Sequence, residues 1–303
     1  MARWKRFQPG FPQHTCFKGT DGFVLFYSVF DCLHFLTLYY VTAKKRRVKT
    51  SCLTIMPNHV HSLNRADRDE DITDFIRDLC SMYAMSFNKR YKRKGRLFLK
   101  SALVAAKTKV KTIRSAINYI VNNPVEGSLC KNVLDYRWNF LKYQTSKNPF
   151  SEKLVLSKAS TKMRMAVDTV KSFHKSIKPL EYSTLSIIFK GLSRTESDQL
   201  IDLIISLYNP IDISDYEKYF GNFDNAIKDI TMEMASEYDI QDERDDFSVY
   251  TKMAKCSISK GFRLGEFGLL DERTLNMLAS MLKAETSATY SQIRKFLHIK
   301  CMK

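Results

Sequence analysis

Apolar and polar positions alternate along two adjoining stretches, Val48–Ile55 and His59–Leu63, separated by Pro57-Asn58. Period-two alternation is the pattern of a half-buried strand, and Pro-Asn between two such runs makes a tight reversal. The two stretches therefore read as neighbouring strands. A helical stripe of Leu33, Leu36, Thr37, Tyr40 and Ala43 runs through Phe30–Arg47; its aromatic density also suits a strand, but the basic run Lys44-Lys45-Arg46-Arg47 fits a helix C-terminus, and a helix is the better reading. A second helix is expected from about Ile72 to Tyr91, with Ile72, Phe75, Ile76, Leu79 and Tyr83 on its apolar side, acidic residues Asp67–Asp71 leading in and Lys89-Arg90 at its end. A third spans Lys109–Asn122 on Ile113, Ala116, Ile117 and Ile120, and is expected to end before Pro124. Further short strands are expected at His14–Phe17, Phe23–Tyr27 and Phe98–Val104. From Pro179 onward the pattern is helical, at Leu200–Leu207, Tyr216–Phe220, Ala226–Ala235 and Arg273–Ala284.

At 303 residues the chain can bury a full core and is long enough for two domains. Charge divides it: residues 1–150 hold 27 Lys and Arg against 10 Asp and Glu, which is the whole net charge of +17, whereas residues 151–303 hold 22 of each. One basic half and one neutral half point to a polyanion partner for the first half. Residues 1–150 are thus expected to form the functional domain, 151–178 a basic linking helix, and 179–303 a helical domain. No run of about 18 apolar residues is present, so no membrane span is expected. The first six residues lack the features of a secretory signal. The 7 cysteines lack paired spacing, which predicts reduced thiols and a cytoplasmic setting.

The candidate chemistry lies in two motifs. In His59-Val60-His61 the two imidazoles project from one strand face and can grip one divalent ion. Alone, such a pair is more often an ordinary polar pair. In Asn118-Tyr119-Ile120-Val121-Asn122-Asn123-Pro124, Tyr119 lies off the apolar stripe and Asn123 sits one turn on, on the same side. If that helix packs beside the strand, Asn123 can add an amide oxygen to the two histidine nitrogens, and Tyr119 comes within reach of a phosphate held there. A phenol is a poor nucleophile until the phosphate is polarised and held in line. Attack on a phosphodiester would give a 5′-phosphotyrosine and a 3′-hydroxyl, chemistry suited to strand transfer. The run Lys89, Arg90, Lys92, Arg93, Lys94, Arg96 reads as a phosphate-contacting segment. Lys107, Lys109 and Lys111 crowd the positive end of the third helix, which is unfavourable unless an anion docks there. No Walker-type loop, Gly-x-Ser-x-Gly elbow or recognisable triad is found.

Met56-Pro57-Asn58-His59-Val60-His61, Gly95-Arg96-Leu97-Phe98, Tyr119-Ile120-Val121-Asn122-Asn123-Pro124-Val125 and Tyr136-Arg137-Trp138 occur in an order and spacing that resembles the REP-associated tyrosine transposases, relatives of the IS200-like single-strand transposases in the HUH nuclease superfamily. The resemblance covers roughly residues 10–145. It implies an α+β fold, with a ferredoxin-like antiparallel sheet that carries the histidine pair and helices on one face, followed here by a mostly α-helical C-terminal region. It also implies nicking and joining of single-stranded or hairpin DNA with Mg²⁺ or Mn²⁺. By position, His59 and His61 match the metal pair, Asn123 the third ligand and Tyr119 the nucleophile. Relatives include dimers acting in trans, so a homodimer is one expected assembly, and a bacterial, nucleoid-associated cytoplasmic location follows. Two departures stand out. Ser62 replaces the usual apolar residue, with the strand expected to fade into Asn64-Arg65-Ala66, and acidic Glu126 stands where arginines are usual. In the tail, Leu275–Leu278 and Ser291–Ile299 look like the first two helices of a truncated helix-turn-helix, with a recognition helix starting near Lys300, or like an ordinary helix pair. Two other function classes stay open: a catalytically silent nucleic-acid-binding regulator on the same fold, and a metal-dependent hydrolase without a covalent intermediate.

Overall fold

The computed structural model describes residues 7–100, 102–232 and 246–299. Its centre is a four-stranded antiparallel sheet of β1 (Gln13–Lys18), β2 (Lys49–Ile55), β3 (His59–Arg65) and β4 (Leu103–Ala106), in the order β2-β3-β1-β4. With α1 (Val29–Lys45) between β1 and β2, and α2 (Asp69–Arg90) between β3 and β4, this is the ferredoxin-like α+β arrangement. Ser28 starts α1 through a reciprocal capping box with Asp31, which stabilises such a helix end by about 1 kcal/mol. That cap and the basic last turn decide the ambiguous Phe30–Arg47 stretch in favour of helix.

Alternation along the strands sorts side chains onto two faces. Phe17, Leu53, Ile55 and Val60 meet Leu33, Leu36 and Tyr39 of α1 and Phe75, Leu79 and Tyr83 of α2 in one cluster. The expected helices on one face are these two. The opposite face is covered as well: Cys52 and Leu63 pack under Ile113, Ile117, Tyr119 and Ile120 of α3 (Val110–Glu126). α3 does not stop before Pro124 as expected. It carries that proline within its last turn, where only the Ile120 carbonyl loses a partner, and buried Tyr119, Asn123 and Pro124 hold the turn against the sheet.

Three strand expectations need correction. Phe23–Tyr27 is a buried loop, not a strand, because its backbone is taken up elsewhere: Val24 N donates to Lys295 O at 3.1 Å, and Leu25 N and Phe26 N both donate to Pro57 O. The strand expected at Phe98–Val104 forms only at Leu103–Ala106, where it pairs with Gln13–Cys16; Phe98 makes a single bridge to Gly19. β3 does not fade after Leu63. Ser62 and Asn64 point into the α1–α2 face, where Asn64 Nδ2 donates to Ser62 Oγ (2.8 Å) and Thr15 Oγ1 (3.0 Å), while Tyr39 donates to Asn64 Oδ1 at 2.6 Å. A satisfied polar set inside an apolar core costs little and holds register.

The C-terminal helices pack around this unit in three groups. α4 (Thr161–Lys175), α5 (Tyr182–Ile188) and α6 (Arg194–Tyr208) extend the α1 core through Met163, Val167, Leu185, Leu200 and Ile204. The basic linking segment is α-helical only over α4, with a single 3-10 turn at Leu156–Lys158 before it. α7 (Ser214–Phe220) and α8 (Phe223–Met232) join the α3 cluster through Tyr216, Phe220, Ala226 and Ile230; the expected extension to Ala235 lies outside the described residues. α9 (Ser248–Ser259), α10 (Glu272–Thr286) and α11 (Tyr290–Leu297) enclose a cluster that includes Val24 and Met56. α10 and α11 are the expected helix pair. The end of α11 is docked on the Phe23–Tyr27 loop, with His298 stacked on Phe23 at 4.6 Å and Tyr27 donating to Phe296 O. A recognition helix near Lys300 would lie outside the described residues. Packing thus runs across the compositional boundaries at 150 and 178. No described helix is long and apolar enough to cross a membrane. Cys16, Cys32, Cys52, Cys80, Cys130 and Cys256 are free thiols.

Buried Asp31 ties these layers together. Its carboxylate accepts from Tyr27 N, Ser28 N, Tyr91 Oη and Tyr182 Oη, linking the start of α1 to the end of α2 and to α5. One turn on, His34 is fully buried, and its Nδ1 faces Leu180 O at 2.9 Å. Burial pulls its pKa from 6.5 down to about 4, the Leu180 hydrogen bond opposing and the Arg90 charge adding to the fall. Above pH 6.5 both folded and unfolded histidine are neutral; below it only the unfolded state takes a proton, so stability falls as pH drops from 6.5 to about 4. His34→Asn keeps a donor near the Nδ1 position and removes the titration. The loss of unfolding free energy between about pH 7.5 and about pH 5, measured by denaturant titration, should shrink by roughly 2 kcal/mol in that variant.

Candidate active site

Three strand residues and one helix build the site. β1 and β3 pair so that Cys16 lies opposite His61, Lys18 opposite His59 and His14 opposite Leu63. These six side chains share the face that α3 covers. His59 and His61 meet with ring centroids 4.8 Å apart and planes at 81°. Tyr119 lies on the same face, its ring 5.3 Å from that of His61, edge to face. Asn123, one turn further along α3, brings Oδ1 to 3.1 Å from His59 Nε2. The four residues chosen from sequence are therefore brought together.

The polar contacts of His59 suit a cation. Its Nδ1 faces Asn58 Oδ1 at 2.7 Å and its Nε2 faces Asn123 Oδ1 at 3.1 Å. A neutral imidazole has one N–H, so one ring nitrogen presents a lone pair towards an acceptor oxygen unless an amide is turned. Asn58 is well placed to take the Nδ1 proton, which leaves His59 Nε2 and Asn123 Oδ1 converging as two donors. Two neutral nitrogens and an amide oxygen fit Mg²⁺ or Mn²⁺ completed by water or phosphate oxygens. Among the described residues no group of three or more His, Cys, Asp or Glu side chains stands close enough to hold a metal ion.

The sequence motifs give His14 no place in the site. It is 3% exposed, its Nε2 lies 3.0 Å from His61 Nδ1, and its ring meets Tyr119 edge-on at 5.9 Å. The available signal was parity: His14 has the same strand phase as Cys16 and Lys18, and only the pairing register shows that this phase faces His61. Phe247 was also missed. Its ring lies 5.6 Å from that of His59, and its N–H donates to Gly127 O at 3.0 Å. Nothing local to residue 247 signals this contact.

The site is closed. His59 and Tyr119 are each 5% exposed, His61 0% and Asn123 6%. Phe247 covers the His59 end, and α8 covers the α3 side, where Asn122 Nδ2 donates to Ile230 O at 2.9 Å.

The basic residues separate by role. Arg90 turns inward, its guanidinium 4.4 Å from the Tyr182 ring, and Arg93 folds the loop by donating to Asn88 Oδ1 and to the carbonyls of Gly95 and Arg96. Lys92 lies 3.9 Å from Glu266. Lys89, Lys94, Arg96, Lys109 and Lys111 are exposed, and Lys107 is half-buried. Lys109 also caps α3, receiving the Thr112 hydroxyl on its carbonyl oxygen at 2.8 Å.

Residues 31–123 match the family model described as Transposase IS200 like, so the resemblance read from the motifs holds over that segment. Among solved structures the chain is similar to one described as the REP-associated tyrosine transposase bound to a REP hairpin, with 13% identity over 53% of this chain and 96% of that one and a TM-score of 0.42. No curated protein matches the chain.

Gly127 is required by the close approach of Phe247. A Cβ at that position would lie 2.6 Å from Phe247 Cδ2 and 3.0 Å from Met56 Cε. Gly127→Ala should therefore unseat Phe247 and cost roughly 1–3 kcal/mol in denaturant unfolding. His59 should then react faster with diethyl pyrocarbonate; an unchanged rate would show that Phe247 does not guard it.

Proposed function

We propose that the protein is a transposase that nicks and rejoins single-stranded DNA at hairpin-flanked sites through a 5′-phosphotyrosine on Tyr119, with Mg²⁺ or Mn²⁺ held by His59, His61 and Asn123. The observation that carries the proposal is the placement of Tyr119 against His61 on the sheet face where His59 Nε2 and Asn123 Oδ1 converge at 3.1 Å. The IS200-like match over residues 31–123 supports the same reading. The likeness to a hairpin-bound structure is in keeping with a hairpin substrate.

When bound, the ion supplies Lewis acidity to a phosphodiester oxygen. Helix α3 fixes the bearing of Tyr119, because its ring is wedged between the helix and the two histidine-bearing strands. The Tyr119 hydroxyl attacks phosphorus, the phenolic O–P bond forms and the P–O3′ bond breaks. The phenol gives up its proton and the departing 3′-oxygen gains one. The phosphotyrosine keeps the energy of the broken bond, so a second 3′-hydroxyl can reverse the step. Exposed Lys89, Lys94, Arg96, Lys109 and Lys111 form the phosphate-contacting set. Apolar packing around the site keeps water from competing with the 3′-hydroxyl.

A second reading, a silent DNA-binding regulator, is favoured by one observation: the four site residues are at most 6% exposed, so DNA enters only after Phe247 or α8 moves. The two readings part in one experiment. A labelled hairpin oligonucleotide with Mg²⁺ or Mn²⁺ should yield a protein adduct on the 5′-phosphate of the downstream fragment and a free 3′-hydroxyl on the upstream one. Tyr119→Phe should remove the adduct and leave binding affinity within about twofold. An adduct that persists in Tyr119→Phe excludes this nucleophile. Tight, salt-sensitive binding with no adduct from the unaltered protein selects the regulator.

A further inference from the structure

His14 is a buried imidazole without a place in the chemistry above, and its surroundings are specific. It sits on β1 two residues before Cys16, the partner of His61 across the ladder, so it reaches His61 diagonally. A polar ring buried to 3% beneath the apolar side of α3 is costly unless it is hydrogen-bonded. Its Nε2 is 3.0 Å from His61 Nδ1, and its ring meets the Tyr119 ring at 5.9 Å and 69°. One side chain thus touches both a proposed metal donor and the proposed nucleophile.

We infer that His14 is a positioning residue: its Nε2 accepts the Nδ1–H of His61, which fixes the His61 tautomer so that Nε2 faces a divalent cation, while its ring edge sets the bearing of Tyr119. The inference rests on the reading of His61 as a metal ligand. An imidazole that coordinates through Nε2 must carry its proton on Nδ1, and a partner on Nδ1 holds both tautomer and ring angle. The reverse arrangement, with His14 donating, would place the His61 proton on Nε2 and block coordination there. The thiol of Cys16 also approaches His61, its Sγ 4.0 Å from Nε2, a weaker contact than that of His14 with Nδ1. Asn58 has the matching position at His59, with Oδ1 2.7 Å from Nδ1. Each histidine of the pair therefore has its own partner on Nδ1.

The test uses the full chain without DNA and measures Mn²⁺ affinity from the electron paramagnetic resonance signal of the free ion. His14→Leu fills the space without an acceptor and should weaken Mn²⁺ binding about 10- to 100-fold. His14→Gln places a carbonyl near the original Nε2 and should restore most of that loss, whereas a residue needed only for packing would not be rescued by polarity. If His14→Leu does not fold, the glutamine variant decides: near-normal affinity supports the hydrogen-bond account, and a leucine-like loss in a folded protein overturns it. Unchanged affinity in a folded His14→Leu overturns the inference and leaves the metal site standing. No Mn²⁺ binding by the unaltered protein overturns both.

Discussion

The site depends on one constraint, the antiparallel register of β1 against β3. Strand side chains alternate, so pairing Cys16 with His61 sends His14, Lys18, His59 and His61 to one face together. A slip of one residue would turn His14 and Lys18 into the α1–α2 core and bring Phe17 to the imidazoles. Several features resist that slip. Phe17 and Val60 are locked in the α1–α2 cluster. Thr15, Ser62 and Asn64 form a polar set that is satisfied only in this register, with Thr15 Oγ1 and Ser62 Oγ 2.6 Å apart. Ser62, which looked like a departure from the family pattern, is thereby part of what aims the histidines.

Much of this was legible in the chain because it is local. Period-two alternation in Val48–Ile55 and His59–Leu63, and the stripe of α2, are written in neighbouring residues. Tyr119 and Asn123 share a helix side by spacing alone. What was not legible is set by distant partners. Phe23–Tyr27 has strand composition, but its amides and carbonyls are claimed by α11 and Pro57, about 270 and 30 residues away. Pro124 ends a helix by local rule, yet burial of Asn123 and Pro124 carries α3 one turn further. His14 carries no local mark, since only the register shows that it meets His61.

The charge asymmetry gains a structural meaning from the packing. The neutral second half does not stand apart from the basic first half. It covers α1 with α4–α6, α3 with α7–α8, and the Val24–Met56 edge with α9–α11. Its contacts with the basic run are selective. Arg90 is half-buried against Tyr182, and Glu266 lies 3.9 Å from Lys92, which like Lys89, Lys94 and Arg96 stays exposed. The tail thus takes up Arg90 and leaves outside the cations able to meet phosphate.

The same tail explains why the site is enclosed. Gly127 and Phe247 approach so closely that no side chain fits between them, and Phe247 then rests on His59. An apolar cover strengthens electrostatic contacts beneath it, because the local dielectric falls when water leaves. It also bars a bulky polyanion until it moves. On the proposed function, such a closed site suits chemistry that must exclude water between cutting and rejoining, with binding energy from the exposed lysines and arginines used to open it. On that same reading, DNA that engages the basic loop without displacing Phe247 or α8 would be held but not cut, and the apolar contacts of Phe247 would set the threshold between binding and cutting.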